Sequence, residues 1–146
     1  MNNEIRILIV DDDDTIRSTM KAILEDEGYE VDLATSGKEG VQKAKETSYN
    51  IALLDIRLPD MEGVELLKLM KPAVPRTRKL MVTGYPSTQN AIEALNKNAD
   101  AYLIKPVDIE KLLSTIKEQL KLQEEERKFS EEKVAEFIES RVKEIT

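Results

Sequence analysis

The stretch Ile5-Arg6-Ile7-Leu8-Ile9-Val10-Asp11-Asp12-Asp13-Asp14 decides how the chain is read. An apolar run of this length, broken only by Arg6 and ended by four aspartates, predicts a buried strand that runs into a polar turn. Outward from it, Ile16, Met20, Ile23 and Leu24 recur at helical spacing and stop at Gly28, a good residue to end a helix. Val31–Ala34 predicts a second strand, and Ser36-Gly37 opens a helix with Val41 and Ala44 on one face. Ile51–Leu54 predicts a third strand that ends at Asp55. Loop chemistry follows over Leu58-Pro59-Asp60-Met61-Glu62-Gly63, then a short helix around Val64–Met70. Pro72 and Pro75 punctuate a connection to a fourth strand, Leu80–Thr83. A fourth helix covers Ala91–Asn96 and a fifth strand Ala101–Ile104. A last helix begins near Asp108, a plausible N-cap, with Leu112, Leu113, Ile116 and Leu120 on one stripe.

Strand and helix alternate five times. Each parallel crossover needs a covering helix, so the pattern predicts an α/β fold with helices on both faces of a five-stranded parallel sheet. In such sheets ligands gather beyond the carboxyl ends of the strands. Asp11 and Asp12 fall there after strand one, Asp55 after strand three, Thr83 after strand four and Lys105 after strand five. Taken singly, each has a bland reading as a turn, cap or solvated strand end. Their joint placement at one sheet edge favours a site. Clustered carboxylates repel until a hard divalent cation resolves them, and Mg²⁺ takes one or two carboxylates with waters and phosphate oxygens. Lys105 can serve as a point charge and Thr83 as a hydroxyl donor.

Composition narrows the chemistry further. The 146 residues contain no cysteine and no histidine, which excludes disulfides, thiol nucleophiles, Cys/His zinc sites and an internal Ser-His-Asp triad. The net charge of −7 and an aromatic content of 4% disfavour both an electrostatic footprint for nucleic acid and a base-stacking platform. No apolar run approaches the roughly 20 residues that span a bilayer, and Met1-Asn2-Asn3-Glu4 is unlike a signal peptide. A cytoplasmic protein is expected, with no direct contact to membrane or nucleic acid.

The segments Ile7-Leu8-Ile9-Val10-Asp11-Asp12-Asp13, Leu54-Asp55-Ile56-Arg57-Leu58-Pro59-Asp60-Met61-Glu62-Gly63, Val82-Thr83-Gly84 and Ala101-Tyr102-Leu103-Ile104-Lys105-Pro106 carry a resemblance. From about Ile5 to Leu120 the chain resembles the receiver domain of two-component response regulators, the fold of the chemotaxis regulator. The resemblance implies a doubly wound, flavodoxin-like sheet of order 2-1-3-4-5. It implies that Asp55 accepts a phosphoryl group from a histidine of a sensor kinase. It also implies that Asp11, Asp12, Asp55 and the backbone carbonyl of Arg57 hold Mg²⁺, and that Thr83 and Lys105 bind the phosphoryl oxygens. Tyr102 matches the switch aromatic that turns inward when Thr83 moves toward the phosphate. Such a protein catalyses its own phosphotransfer and dephosphorylation without turning over an external metabolite. Two positions depart from the family's usual pattern: Asn98 stands where glycine is usual, and Pro86 follows Tyr85. Asp13 is read as a second-sphere candidate and Asp14 as the helix cap or first-turn acid.

Residues 1–120 are thus expected to form the receiver domain and 121–146 a charged amphipathic helical tail. From Lys117 to Thr146 the chain holds nine Glu and seven Lys or Arg with no Gly or Pro, and Val134, Phe137, Ile138, Val142 and Ile145 form an apolar stripe. The tail is helix, either one long extension or two pieces meeting near Phe129-Ser130. It serves as a solvated helix, an intermolecular coiled coil or a linker. Output is expected through a downstream protein partner. A homodimer is the other route, through the face of the Ala91–Asn96 helix, the fifth strand and the last helix, or through the C-terminal helix itself. Two other functions compete: a pseudo-receiver docking module without phosphotransfer, and a Mg²⁺-dependent phosphohydrolase. The complete set Asp12, Asp55, Thr83 and Lys105 disfavours the first. The second usually needs another acid two residues beyond the nucleophile, where this chain has Arg57.

Overall fold

The computed structural model of the chain describes residues 4–70, 76–84, 87, 93 and 99–145. Its elements are β1 (Arg6–Val10), α1 (Asp14–Asp26), β2 (Glu30–Ala34), α2 (Gly37–Glu46), β3 (Ile51–Asp55), α3 (Gly63–Leu69), β4 (Arg78–Thr83), β5 (Ala101–Ile104) and α4 (Ile109–Ile145). Apart from Glu93, the helix expected over Ala91–Asn96 lies outside the described residues, as do Pro72, Pro75, Pro86 and Asn98.

All strand pairs are parallel, in the expected order β2-β1-β3-β4-β5. Because successive side chains in a strand point to opposite faces, the sheet sorts its apolar residues into two cores. Ile7, Ile9, Leu53, Leu80, Val82 and Leu103 face Met20 and Leu24 of α1 and Leu112 and Ile116 of α4. Leu8, Val10, Ala52, Leu54 and Met81 face Leu66 and Leu67 of α3, with Val41 and Ala44 of α2 beside them. Each fully buried leucine or isoleucine contributes about 1.5–3 kcal/mol relative to exposure. The near-continuous apolar strands therefore fix which residues stay inside.

Local chemistry sets the helix ends. The Asp13 carboxylate accepts from Ile16 N–H at 3.0 Å and caps α1, so Asp13 is a capping residue and Asp14 the first-turn acid. Ser36 caps α2 by accepting from Glu39 N–H at 3.2 Å. Gly28 ends the α1 turn at φ 93°, a conformation that favours glycine. Asp108 accepts from Lys111 N–H at 3.1 Å and caps α4 as expected.

Of the two forms open to the tail, the structure takes the single one: α4 runs unbroken through Phe129-Ser130 for 37 residues. Its first half is bound to the sheet. Leu112 and Ile116 enter the core, and Gln119 and Gln123 are buried beside the sheet's amino end. The Gln123 amide donates to the carbonyls of Asn50 at 3.0 Å and Arg76 at 2.8 Å. Glu126 meets Arg78 at 3.0 Å. Beyond Glu126 none of the described side chains is buried. Among the described residues no helix is long and apolar enough to cross a membrane.

Candidate functional site: an acidic pocket at the carboxyl end of the sheet

β1 has β2 on one side and β3 on the other, so the crossovers diverge at this point and leave a crevice above the strand ends. Asp11, directly after β1, and Asp55, the last residue of β3, both open into that crevice. Both are almost fully buried, whereas Asp12 is exposed. Carboxylate oxygens of Asp11, Asp12 and Asp55 lie within 4.8 Å of one another. The Lys105 ammonium, entering from the end of β5, bridges two of them. Its Nζ stands 2.7 Å from Asp11 Oδ2 and 3.3 Å from Asp55 Oδ2.

The backbone fixes these groups. Asp11 Oδ1 accepts from Asp13 N–H at 2.9 Å, and the buried Arg17 guanidinium donates to the Asp11 carbonyl at 2.6 Å. Asp55 Oδ1 accepts from Arg57 N–H at 3.4 Å, and Arg57 forms an isolated antiparallel bridge with Glu62. The loop from Ile56 to Glu62 is closed by Gly63, whose N–H donates to the Ile56 carbonyl at 2.6 Å. A Cβ on Gly63 would stand 2.1 Å from the Asp55 carbonyl oxygen, so only glycine lets α3 begin against the end of β3. Asp60, in the same loop, accepts from Gly37 N–H at 2.8 Å and Lys38 N–H at 2.9 Å and ties the loop to the start of α2.

Burial raises the Asp55 carboxyl above its ordinary value; Lys105 draws it down and the Asp11 charge pushes it up. Burial opposes the Lys105 ammonium, but its hydrogen bond to Asp11 and the two carboxylate charges outweigh that and raise its pKa. One cation thus faces three carboxylates. An all-oxygen donor set with surplus negative charge fits a hard divalent cation.

Thr83 ends β4 fully buried, and its carbonyl accepts from Lys105 N–H at 2.8 Å. Gly84 leaves open space there, since an added Cβ would approach only Lys105 side-chain carbons, at 3.9 Å. Tyr102 is half-buried against the core beneath α3, and its buried hydroxyl has no hydrogen-bond partner among the described residues. The structure therefore brings Asp11, Asp12, Asp55 and Lys105 into one pocket. Thr83 lies at its base, Arg57 at its edge and Tyr102 two strand positions behind Ile104. Sequence reading did not single out Arg17, Asp60 or Gly63 for these supporting roles. Arg17 carried a signal as a cation one turn after the aspartate run. Nothing local revealed what Gly63 touches.

A doubly wound parallel sheet with an acidic pocket at its topological switch defines the class of the protein. Residues 7–117 match the family model described as response regulator receiver domain, and the chain belongs to that family. It is 40% identical over 117 residues to the transcriptional regulatory protein ZraR of Klebsiella oxytoca, covering 80% of this chain and 26% of that protein. The chain thus spans about a quarter of the length of such curated relatives. A CheY-like response regulator receiver domain protein from Methanospirillum hungatei JF-1 superimposes with TM-score 0.79 at 51% identity, covering 84% of this chain and 98% of that one. A response regulator from Burkholderia pseudomallei, solved with a phosphorylated aspartic acid, a calcium ion and citrate, gives TM-score 0.71 at 29% identity. The match covers 84% of this chain and 72% of that one.

Proposed function

We propose that the chain is a phosphorylation-dependent switch in which Asp55 accepts a phosphoryl group from a phosphohistidine of a sensor kinase. The observation that carries the reading is Lys105 Nζ held between Asp11 and Asp55, a cation poised where phosphoryl oxygens would arrive. Asp11, Asp12, Asp55 and the Arg57 carbonyl would hold Mg²⁺, which when bound neutralises charge on the phosphoryl oxygens. A carboxylate oxygen of Asp55 attacks phosphorus as the P–N bond breaks, and the electron pair returns to the imidazole of the donor. The arriving oxygens compete with Asp11 for Lys105 and offer an acceptor to the Thr83 hydroxyl. Movement of Thr83 toward them frees space for Tyr102, whose hydroxyl has no partner to lose among the described residues.

The receiver unit, residues 1–120 with the 121–146 tail as its extension, would act in the cytoplasm. Its output is altered binding of a downstream protein or altered self-association, through the β5 and α4 face or the C-terminal helix. Incubation with acetyl phosphate and Mg²⁺ should add one phosphate by intact mass to the wild type and none to Asp55→Asn. Equal labelling of the variant would overturn the assignment of Asp55.

A further inference from the structure

The apolar stripe that docks α4 on the sheet breaks off at Gln123, Arg127, Ser130 and Glu131 and then resumes in the same phase beyond the sheet. Ile116, Gln119 and Leu120 face the body of the domain, and Val134, Phe137 and Ile138 follow each of them by eighteen residues, five whole turns. Each pair occupies the same side of one helix. Ile116 is 0% exposed, whereas Val134, Phe137 and Ile138 are 58%, 60% and 56% exposed. A solvated helix has no need of an apolar stripe held in phase with its buried half. The part of the helix beyond its last contact with the sheet, from Arg127 to Ile145, is about 28 Å long, enough for several helical layers.

The charges on that stripe state what covers it. Arg127, Glu131 and Arg141 lie among the apolar residues on the same face. Two copies side by side in parallel, in register, would set each of these charges against its own counterpart. An antiparallel pairing centred near Glu136 sets Glu131 against Arg141 and leaves Arg127 at the end of the register. Val134 meets Ile138 of the second copy, and Glu131 meets Arg141 of the second copy, each contact occurring twice by symmetry. The same axis brings the two Phe137 rings together on one flank. The register ends near Arg127, one residue after the Glu126–Arg78 contact with the sheet, which places the two domains at opposite ends of the pair.

We propose that the exposed half of the last helix is a self-recognition surface that pairs antiparallel with a second copy of this chain. The pairing concerns a surface remote from Asp55 and is tested without a phosphodonor, so it stands or falls apart from the proposed phosphotransfer.

Sedimentation equilibrium of the whole chain, up to roughly 1 mM and so reaching weak association, should show a monomer–dimer equilibrium. Ile138→Asp should abolish it. Glu131→Arg and Arg141→Glu should each weaken association about ten-fold, since each replaces two attractive contacts with two repulsive ones. The double variant Glu131→Arg/Arg141→Glu should restore it, because antiparallel pairing exchanges the partners. Circular dichroism of each variant should show unchanged helix, so that loss of pairing is not loss of folding. A wild type that stays monomeric throughout overturns the proposal. So does a dimer indifferent to Ile138→Asp, or a double variant no tighter than the singles.

Discussion

The two ends of the sheet hold buried charge in opposite ways. At the carboxyl end three carboxylates stand together and one ammonium bridges two of them, while burial holds the Asp55 carboxyl above its ordinary value. At the amino end a single carboxylate, Asp100, is surrounded by donors. Arg76 approaches it at 2.8 Å, Arg78 at 3.2 Å and Lys79 N–H at 2.8 Å. Glu126 from α4 then takes the outer side of Arg78 at 3.0 Å, and Gln123 satisfies the carbonyls of Asn50 and Arg76. One end has its carboxylates matched by guanidiniums and binds the last helix to the sheet. The other has a charge imbalance that only a cation or a reaction relieves. Buried charge therefore marks function here by its surplus, not by its presence.

The contrast is sharpened by asking what neutralising each aspartate does. Asp100→Asn leaves Arg76 and Arg78 with Glu126 as their remaining carboxylate and is expected to cost about 3 kcal/mol, read as a lower urea midpoint. Acceptance of phosphate from acetyl phosphate should survive below that midpoint. Asp55→Asn removes a repelled charge while Lys105 keeps Asp11, and is expected to raise stability by about 1 kcal/mol while abolishing acceptance. Equal signs for the two variants in the same urea titration would break the comparison.

A smaller effect tests a half-buried charge, Asp32 at the β2 edge. The Tyr49 hydroxyl donates to Asp32 Oδ2 at 2.6 Å, and burial together with the Asp32 carboxylate raises the phenol above its ordinary value. The folded state then holds the phenolic proton more tightly than the unfolded state. The linked stability is fully present below about pH 10 and is lost as pH rises toward the raised value. Tyr49→Phe should flatten that alkaline decline of stability and leave the pocket's chemistry intact. An unchanged alkaline slope would place the titrating group elsewhere.

Much of this was legible in the chain. The apolar runs around Ile7–Val10, Ile51–Leu54 and Leu80–Val82 specified buried parallel strands, because only strands covered on both faces omit polar alternation. The sequence spacing also put Asp11, Asp12, Asp55, Thr83 and Lys105 at strand ends on one edge of the sheet. Asp13, read as a second-sphere candidate, takes on a second task that its position alone did not reveal. Its carboxylate caps α1 while its N–H holds Asp11, a division of labour that depends on the turn's backbone path. The strength of the Asp100 cluster was also invisible, since Arg76, Asp100 and Glu126 come from three distant stretches of chain.

By itself the sequence determined the strand and helix pattern, the placement of the acidic residues at strand ends and the helical nature of the tail. Periodicity and strand-end placement are local properties of the chain. Only the tertiary structure decided that Lys105 bridges Asp11 and Asp55, that Gly63 must lack a side chain against Asp55, and that Gln123 and Glu126 hold α4 to the sheet. Those facts depend on residues far apart in sequence meeting within a few ångströms. Such meetings are fixed by how the two faces of the sheet pack, not by any stretch of sequence taken alone.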